Sequence, residues 1–271
     1  MSTNKVLFIT QEISPFVPDS YYGMIGKQLP QVVQDAGDEI RIFSPKWGII
    51  NERRNQLHEV IRLSGMNLII DDTDHTLIIK VASLSSARMQ IYFIDNDDYF
   101  MKRKILCDEN GTEYEDNGER AIFYARGVLE TMKKLRWIPN VIHCQGWVSC
   151  LAPFYIKKAY ADEPSFFDSK VVYSIKAHEF ENDWGTHFGE CLSFKESTSK
   201  LAEEVLKGYY KHSDLMKLAA KYSDAIIFED ADEDINPEII EFVLSLGIPV
   251  LHYNKESHES DCAQFFKQLA E

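Results

Sequence analysis

Short apolar runs alternate with helix-patterned segments from the first residues of this sequence onward. That rhythm restricts the chain to an α/β fold built on a mostly parallel sheet. Lys5–Thr10 reads as the first strand. Residues 22–36 read as a helix, with Ile25, Leu29, Val32, Val33 and Ala36 at helical spacing. Gly37 closes it, as a glycine just past a helix end does, and Glu39–Ser44 is the second strand. Strand, helix, glycine and strand in that order form a βαβ unit, whose two strands lie parallel.

Residues 56–94 break the rhythm. The stretches 57–63, 66–70, 76–82 and 89–94 are rich in Val, Ile, Leu and Tyr, and no helix separates them. Asp71-Asp72-Thr73-Asp74 is a turn signal between two of them, so a β-meander or hairpin pair is predicted as an insertion here. The clearest helix runs from about 117 to 135, with Ala121, Tyr124, Ala125, Val128, Met132 and Leu135 on one stripe. Asp116 and Glu119 have the spacing of a capping box at its start, and Lys133 and Lys134 suit the dipole at its end.

After Pro139 the pattern predicts a strand over 141–144, a helix over 147–159 and a strand over 170–175. Residues 178–198 show no period and read as a long polar loop. Helices near 199–209 and 213–221, a strand over 225–228, a helix over 236–246, a strand over 249–252 and a closing helix over 258–270 complete the chain. With no repeat and no Pro/Gly-rich linker, residues 1–271 are assigned to one Rossmann-like, doubly wound domain.

Charge narrows the partners. The chain carries 29 basic and 43 acidic residues, a net charge of −14, and its densest basic run, Lys102-Arg103-Lys104, has acidic residues on both sides. Nucleic acid is therefore not an expected partner. No run approaches the roughly 18 apolar residues of a membrane span. Met1–Lys5 leads straight into a strand rather than a signal-peptide core, so a cytoplasmic location is expected and no membrane partner. Five cysteines, an odd number without a CxxC pair, point to reduced thiols rather than disulfides or structural zinc.

Four segments, in order, resemble one known family. Lys5-Val6-Leu7-Phe8-Ile9-Thr10-Gln11-Glu12-Ile13-Ser14-Pro15-Phe16 is similar to the opening strand and loop of bacterial glycogen synthases and plant starch synthases, the family-5 glycosyltransferases. Leu29-Pro30 with residues 37–45 resembles the family's second βα unit. Phe93-Ile94-Asp95-Asn96 with Tyr114–Arg120 resembles a third block, and Trp137–Trp147 resembles W-x-P-D-I-V-H-A-H-D-W. The resemblance covers residues 5 to about 176 well and the remainder loosely. It implies the N-terminal half of a GT-B glycosyltransferase, the half that receives a growing α-1,4-glucan. The family's other half, which holds most of the ADP-glucose, is expected to have no counterpart in this chain.

The family's chemical positions are changed here. Its first loop reads K-x-G-G-L, with the lysine on the nucleotide phosphates; the aligned residues are Pro18-Asp19-Ser20-Tyr21-Tyr22, followed by Gly23. An acid at Asp19 repels a diphosphate, and Tyr21 blocks close backbone approach. The segment is a re-purposed loop or a plain turn into a helix. H-A-H-D-W becomes His143-Cys144-Gln145-Gly146-Trp147, which leaves Gln145 as a hydrogen-bonding group and gives His143 and Trp147 packing roles. The family's T-I-H-N, whose histidine contacts the transferred sugar, is replaced by Lys176-Ala177, with His178 two residues late. No confident catalytic residue remains. Tyr21, Tyr22, His143, Gln145, Trp147 and His178 stand as possible substrate-binding residues, and Tyr21, Tyr22 and Trp184 as exposed rings able to stack on sugars.

Rival motifs are weak. His178-Glu179 and His187-x-x-Glu190 have spacings compatible with metal ligands but form no strong motif, so no metal and no cofactor is expected. Asp230-Ala231-Asp232-Glu233-Asp234 lacks the glycine and closing glutamate of a calcium loop. Three readings follow. The first is a glycogen-synthase-like pseudo-enzyme of α-1,4-glucan metabolism, unable to transfer glucose alone and retaining at most a surface for a partner or for α-glucan or maltooligosaccharide. The second is an ADP-glucose-dependent synthase half completed by another chain. The third is a scaffold or regulator of an authentic synthase.

Overall fold

The computed structural model describes residues 3–84, 87–192, 208 and 210–271. In chain order the first strands are β1 (Lys5–Thr10), β2 (Glu39–Pro45), β3 (His58–Glu59), β4 (Met66–Ile70) and β5 (Thr73–Leu84). They are followed by β6 (Met89–Asp95), β7 (Val141–Gln145), β8 (Lys170–Ile175), β9 (Ala225–Phe228) and β10 (Val250–Leu251). The described helices are α1 (Tyr21–Asp35), α2 (Asn117–Leu135), α3 (Ala152–Lys158) and α4 (Thr186–Cys191), then α5 (His212–Lys221), α6 (Pro237–Ser245) and α7 (His258–Ala270).

β1 is central because Val6, Leu7, Phe8 and Ile9 are all buried and the strand needs a partner on each edge and cover on each face. It pairs in parallel with β2 on one side and β7 on the other. The sheet runs β10-β9-β8-β7-β1-β2-β6-β5-β3, with β4 paired to β5. From β10 to β6 every pairing is parallel. The chain steps outward from β1 through β2 to β6, then returns to β7 and steps the other way. Strand order thus reverses between β1 and β7, the point where open α/β sheets bind ligands. α1 packs on α7, whereas α2 meets α3 and α4, and α3 meets α5.

The predicted meander is present as β4, β5 and β6, each antiparallel to the next. Its last strand also pairs in parallel with β2, so it extends the main sheet. Ile70 faces Thr73 across a two-residue turn in which Asp71 adopts a φ of 55°. The expected strand over 57–63 shrinks to the two residues of β3 at the sheet edge.

Other expectations are corrected by tertiary contacts. Asp116 precedes α2 without capping it, because its carboxylate is taken by the Arg103 guanidinium; Glu119 accepts instead from the Tyr99 hydroxyl at 2.8 Å. The helix expected over 147–159 is a 3₁₀ turn at Trp147–Ser149 followed by α3, which starts where Pro153 suits a first turn. The polar stretch from 178 contains α4, held by Phe188 in the core; residues 193–198 of it lie outside the described residues. The helix expected near 199–209 falls, apart from Gly208, outside them as well. No described helix is long and apolar enough to cross a membrane, and all five cysteines are unpaired.

A fully buried cation organises the segment ahead of α2. The Arg120 guanidinium donates to the carbonyls of Tyr99, Lys104 and Ile105 and to Asn117 Oδ1. It lies 5.0 Å from the Trp47 ring centroid and 4.9 Å from that of Tyr114. Burial, then the nearby Arg103, pull its pKa down to about 9.

α1 lies against the backbone that follows β1, and Gly26 permits it. A Cβ there would stand 2.1 Å from the Glu12 carbonyl oxygen. Alanine's helix preference is worth about 1 kcal/mol, less than a clash with fixed backbone. Gly26→Ala is expected to destabilise the chain by about 1–3 kcal/mol in urea unfolding.

Candidate functional site

The carboxyl ends of β1, β7, β8 and β9 form one rim at the reversal of strand order. Three carboxylates are buried along it: Glu12 after β1, Glu179 after β8 and Glu229 directly after β9. A buried carboxylate demands partners: Glu179 and Glu229 draw them from distant elements, and Glu12 from residues close to it in sequence.

Glu229 is the most enclosed. The Tyr21 hydroxyl, from the first turn of α1, donates to Oε2 at 2.7 Å. Gln145 Nε2, at the end of β7, lies 3.3 Å from Oε1, and Thr10 Oγ1 donates to Gln145 Oε1 at 3.0 Å. His258, the first residue of α7, brings Nε2 to 3.2 Å from Oε2. Burial alone would push the Glu229 carboxyl up, but His258, Tyr21 and Ser174 hold it down to about 2. Burial likewise works against the His258 imidazolium, and Glu229 raises it above the usual imidazole value.

Glu179 holds the neighbouring part of the rim. It accepts from the Tyr22 hydroxyl at 2.6 Å and from the Trp147 backbone N–H at 2.7 Å, with His212 Nε2 3.7 Å from its other oxygen. Glu12 accepts from Gln11 Nε2 at 2.8 Å. Burial raises the Glu12 carboxyl, with a smaller push from Glu179, against the hydrogen bonds from Ser20 and Gln11. Lys176 completes the surface: Nζ lies 2.8 Å from Asp230 Oδ1 and 4.2 Å from the Tyr21 ring centroid, while the Ala177 N–H donates to Asp230 Oδ2 at 2.8 Å.

The first loop is a turn into α1. Pro18 is exposed, Asp19 takes a φ of 59°, and Ser20 caps α1 by accepting from the Gly23 N–H at 2.8 Å. Gly146 has a φ of 86°, and a Cβ there would stand 2.5 Å from Gln11 Cβ, so its part is backbone fit. His143 is buried between Phe8 and Phe266, with Nε2 2.8 Å from Ser174 Oγ; burial lowers it to about 4. Trp147 is buried beside Trp47 and Trp184.

Two of the rings expected to be exposed are not. Tyr22 is 8% exposed and Trp184 7%, so neither offers a face to a sugar. Tyr22 is drawn in by Glu179, and Trp184 stacks on Phe180 at 4.9 Å. Tyr21 alone of the three is half-buried. It lines a groove of about 470 Å³ with Asp19, Ser20, Lys27 and Gln28. His178 points to solvent, 3.0 Å from Glu181, while the Glu179 side chain is buried; the adjacent pair is not a joint ligand set. Asp232 pairs with His252 on the surface.

Sequence reasoning missed Glu12, Glu179 and Glu229 as a group, and with them His212 and His258. A signal existed for Glu229, an acid directly after a strand on a rim that binds ligands. None existed for the two histidines, which arrive on helices far along the chain. Gln11 Oε1, Glu12 Oε2, Trp147 Nε1, Glu179 Oε2, Trp184 Nε1 and His212 Nε2 are buried without hydrogen-bond partners. Glu12, Glu179 and Gln11 thus each carry one bonded and one unpartnered polar atom.

Comparison with known proteins matches this architecture to one family. The profile of the starch synthase catalytic domain matches residues 5–231. The chain is similar to the glycogen synthase of Chlorobium limicola, 34% identical over 243 residues, covering 84% of this chain and 48% of that protein. It is also similar to the glycogen synthase of Chlorobaculum tepidum, 39% identical over 172 residues, covering 63% of this chain and 35% of that protein. The chain therefore spans about half the length, or less, of the curated relatives it matches. Its fold is similar to that of the catalytic domain of starch synthase IV from Arabidopsis thaliana bound to ADP and acarbose. The TM-score is 0.74 at 14% identity, over 94% of this chain and 52% of that one.

The Glu229–His258 pair has a defined pH signature. Its Glu229 part is present above the unfolded carboxyl value of about 4.3 and is lost as pH falls toward the folded value of about 2. Its His258 part is fully present below the unfolded imidazole value of about 6.5 and is lost as pH rises through the raised folded value. His258→Gln is expected to cost about 3–5 kcal/mol between about pH 4.3 and 6.5, and less at pH 9. Urea unfolding across that range checks it; a pH-independent gap would contradict the pairing.

Proposed function

Because this chain belongs to the starch synthase catalytic domain family, we propose that it is a glycogen-synthase-like domain of α-glucan metabolism that binds α-glucan but takes up no ADP-glucose at its own rim. The supporting observation is the closure of the rim by its own side chains. Where the resemblance implies a phosphate-gripping lysine and two glycines, the chain places Pro18, Ser20 and Tyr21, with the Tyr21 hydroxyl bonded to Glu229. Where it implies a histidine against the transferred sugar, Lys176 and Ala177 are both tied to Asp230. Glucosyl transfer needs a positioned diphosphate and stabilised positive charge on the sugar. An ammonium at that position opposes that charge, and Asp19 opposes the diphosphate.

The glucan part of the reading rests on the groove beside Tyr21. The ring is fixed by Glu229 on its hydroxyl and Lys176 on one face, and Asp19, Ser20, Lys27 and Gln28 offer polar atoms around it. A rigid aromatic ring among such groups suits a sugar chain, which presents apolar C–H faces and hydroxyls together.

Calorimetric titration with maltoheptaose and with ADP-glucose tests both parts. The expected result is saturable heat with maltoheptaose and none with ADP-glucose, with no glucose transferred to glycogen. Tyr21→Ala is expected to weaken maltoheptaose by roughly tenfold. Saturable ADP-glucose binding would overturn the closed-rim reading. Silence with both ligands would remove the glucan role and leave a protein partner, such as another synthase chain, as the occupant of this surface.

A further inference from the structure

Away from the rim, three segments remote in sequence bring metal-ligating side chains together. α2 supplies Glu119 from its first turn, α4 supplies His187 and Cys191, and the β4–β5 turn supplies Asp71. Donor atoms of Glu119, His187 and Cys191 all lie within 4.8 Å of one another. His187 Nε2 is 3.8 Å from Asp71 Oδ2. Around a tetrahedral ion with bonds of about 2.0–2.3 Å, neighbouring donors stand roughly 3.3–3.8 Å apart.

The fold builds this convergence. Gly118 lets the Phe188 ring rest directly on α2: a Cβ at 118 would stand 2.4 Å from Phe188 Cδ2. Phe188 is buried between Trp184 and Tyr210, so α4 is seated with His187 and Cys191 turned toward the next residue of α2, Glu119. The Tyr155 hydroxyl donates to the Leu192 carbonyl at 3.2 Å and anchors the end of α4.

The outer groups are arranged as metal sites arrange them. The His187 Nδ1 side is held by Glu190 Oε2 at 3.1 Å, which leaves Nε2 to face Asp71. Glu119 Oε2 accepts from the Tyr99 hydroxyl at 2.8 Å, and that hydroxyl lies 3.0 Å from His75 Nε2. A carboxylate on the far nitrogen of a histidine ligand, and a hydrogen bond on a carboxylate ligand, fix orientation and strengthen binding. His187 and Asp71 are exposed, so an ion has a path in, and Cys191 is buried, so its sulfur is shielded.

We propose that Glu119, His187 and Cys191 form a three-residue zinc site, its fourth position open to water, that clips α4 onto α2. The donor set of one thiolate, one imidazole and one carboxylate selects zinc over calcium or magnesium, which prefer oxygen alone. The Cys191 thiol is buried, and it binds an ion as the thiolate. Zinc binding displaces that thiol proton to solvent and neutralises part of the negative charge.

The test uses the full chain, stripped with a chelator and titrated with zinc against a chromophoric competitor. Wild type is expected to take up one zinc ion. His187→Asn, at an exposed position, is expected to weaken uptake by at least about tenfold, while His178→Asn leaves it unchanged. Cobalt(II) supplies a second readout: a near-ultraviolet thiolate-to-cobalt band expected in wild type and absent in Cys191→Ser. The proposal is overturned if wild type takes up no stoichiometric zinc, if His187→Asn binds as wild type does, or if folded Cys191→Ser keeps the cobalt band.

Discussion

A carboxylate with no access to water stands at the carboxyl edge of the sheet, and much of the molecule is arranged to accommodate it. Glu229 follows β9 directly and cannot be solvated there, so its charge must be met by protein groups. The groups that meet it come from α1, β7 and α7: Tyr21, Gln145 and His258. Those contacts join the beginning, middle and end of the chain at one point. They also set the character of the rim, because the groups that satisfy Glu229 are held to it and to one point of the sheet edge. Glu179 repeats the arrangement one strand over, with Tyr22 and the Trp147 backbone as its partners.

A second constraint acts at the start of α2. Arg120, buried among Trp47, Phe100 and Tyr114, gathers three carbonyls of the segment between residues 99 and 105 and fixes where α2 begins. Glycine at 118 then leaves the first turn of α2 flat enough for Phe188 to lie on it. Phe180, Trp184, Phe188 and Tyr210 form a continuous aromatic cluster from the rim to α4. The rim and the Glu119–His187–Cys191 group are thus two ends of one packed wall, although their chemistry differs.

Local periodicity carried most of the fold. β1, β2, β8 and β9 follow their apolar runs, α2 follows its stripe from residue 117 to 135, and α7 spans the predicted closing helix. The ordered family segments were legible for the same reason: strand ends and their loops keep recognisable residues where the fold demands them. Boundaries set by long-range contacts were not legible. Asp116 has the spacing of a helix cap, yet a guanidinium thirteen positions earlier in the chain takes its carboxylate. α4 has too few residues to show a period and exists because Phe188 finds a core.

The sequence by itself determined that this chain forms a mostly parallel α/β sheet and that it resembles glycogen and starch synthases, a resemblance that singles out the positions of Pro18, Gln145, Gly146, Lys176 and Ala177. Only the tertiary structure decided where these side chains and their neighbours go. Tyr22 and Trp184 turned inward because burying an aromatic ring outweighs exposing it, while Tyr21 and Gln145 turned to Glu229 and Lys176 to Asp230 and the Tyr21 ring. The physical reason is separation along the chain. Apolar periodicity is written within a dozen residues and can be read there, whereas a buried charge selects its partners by position in space, and His258 reaches Glu229 from 29 residues away.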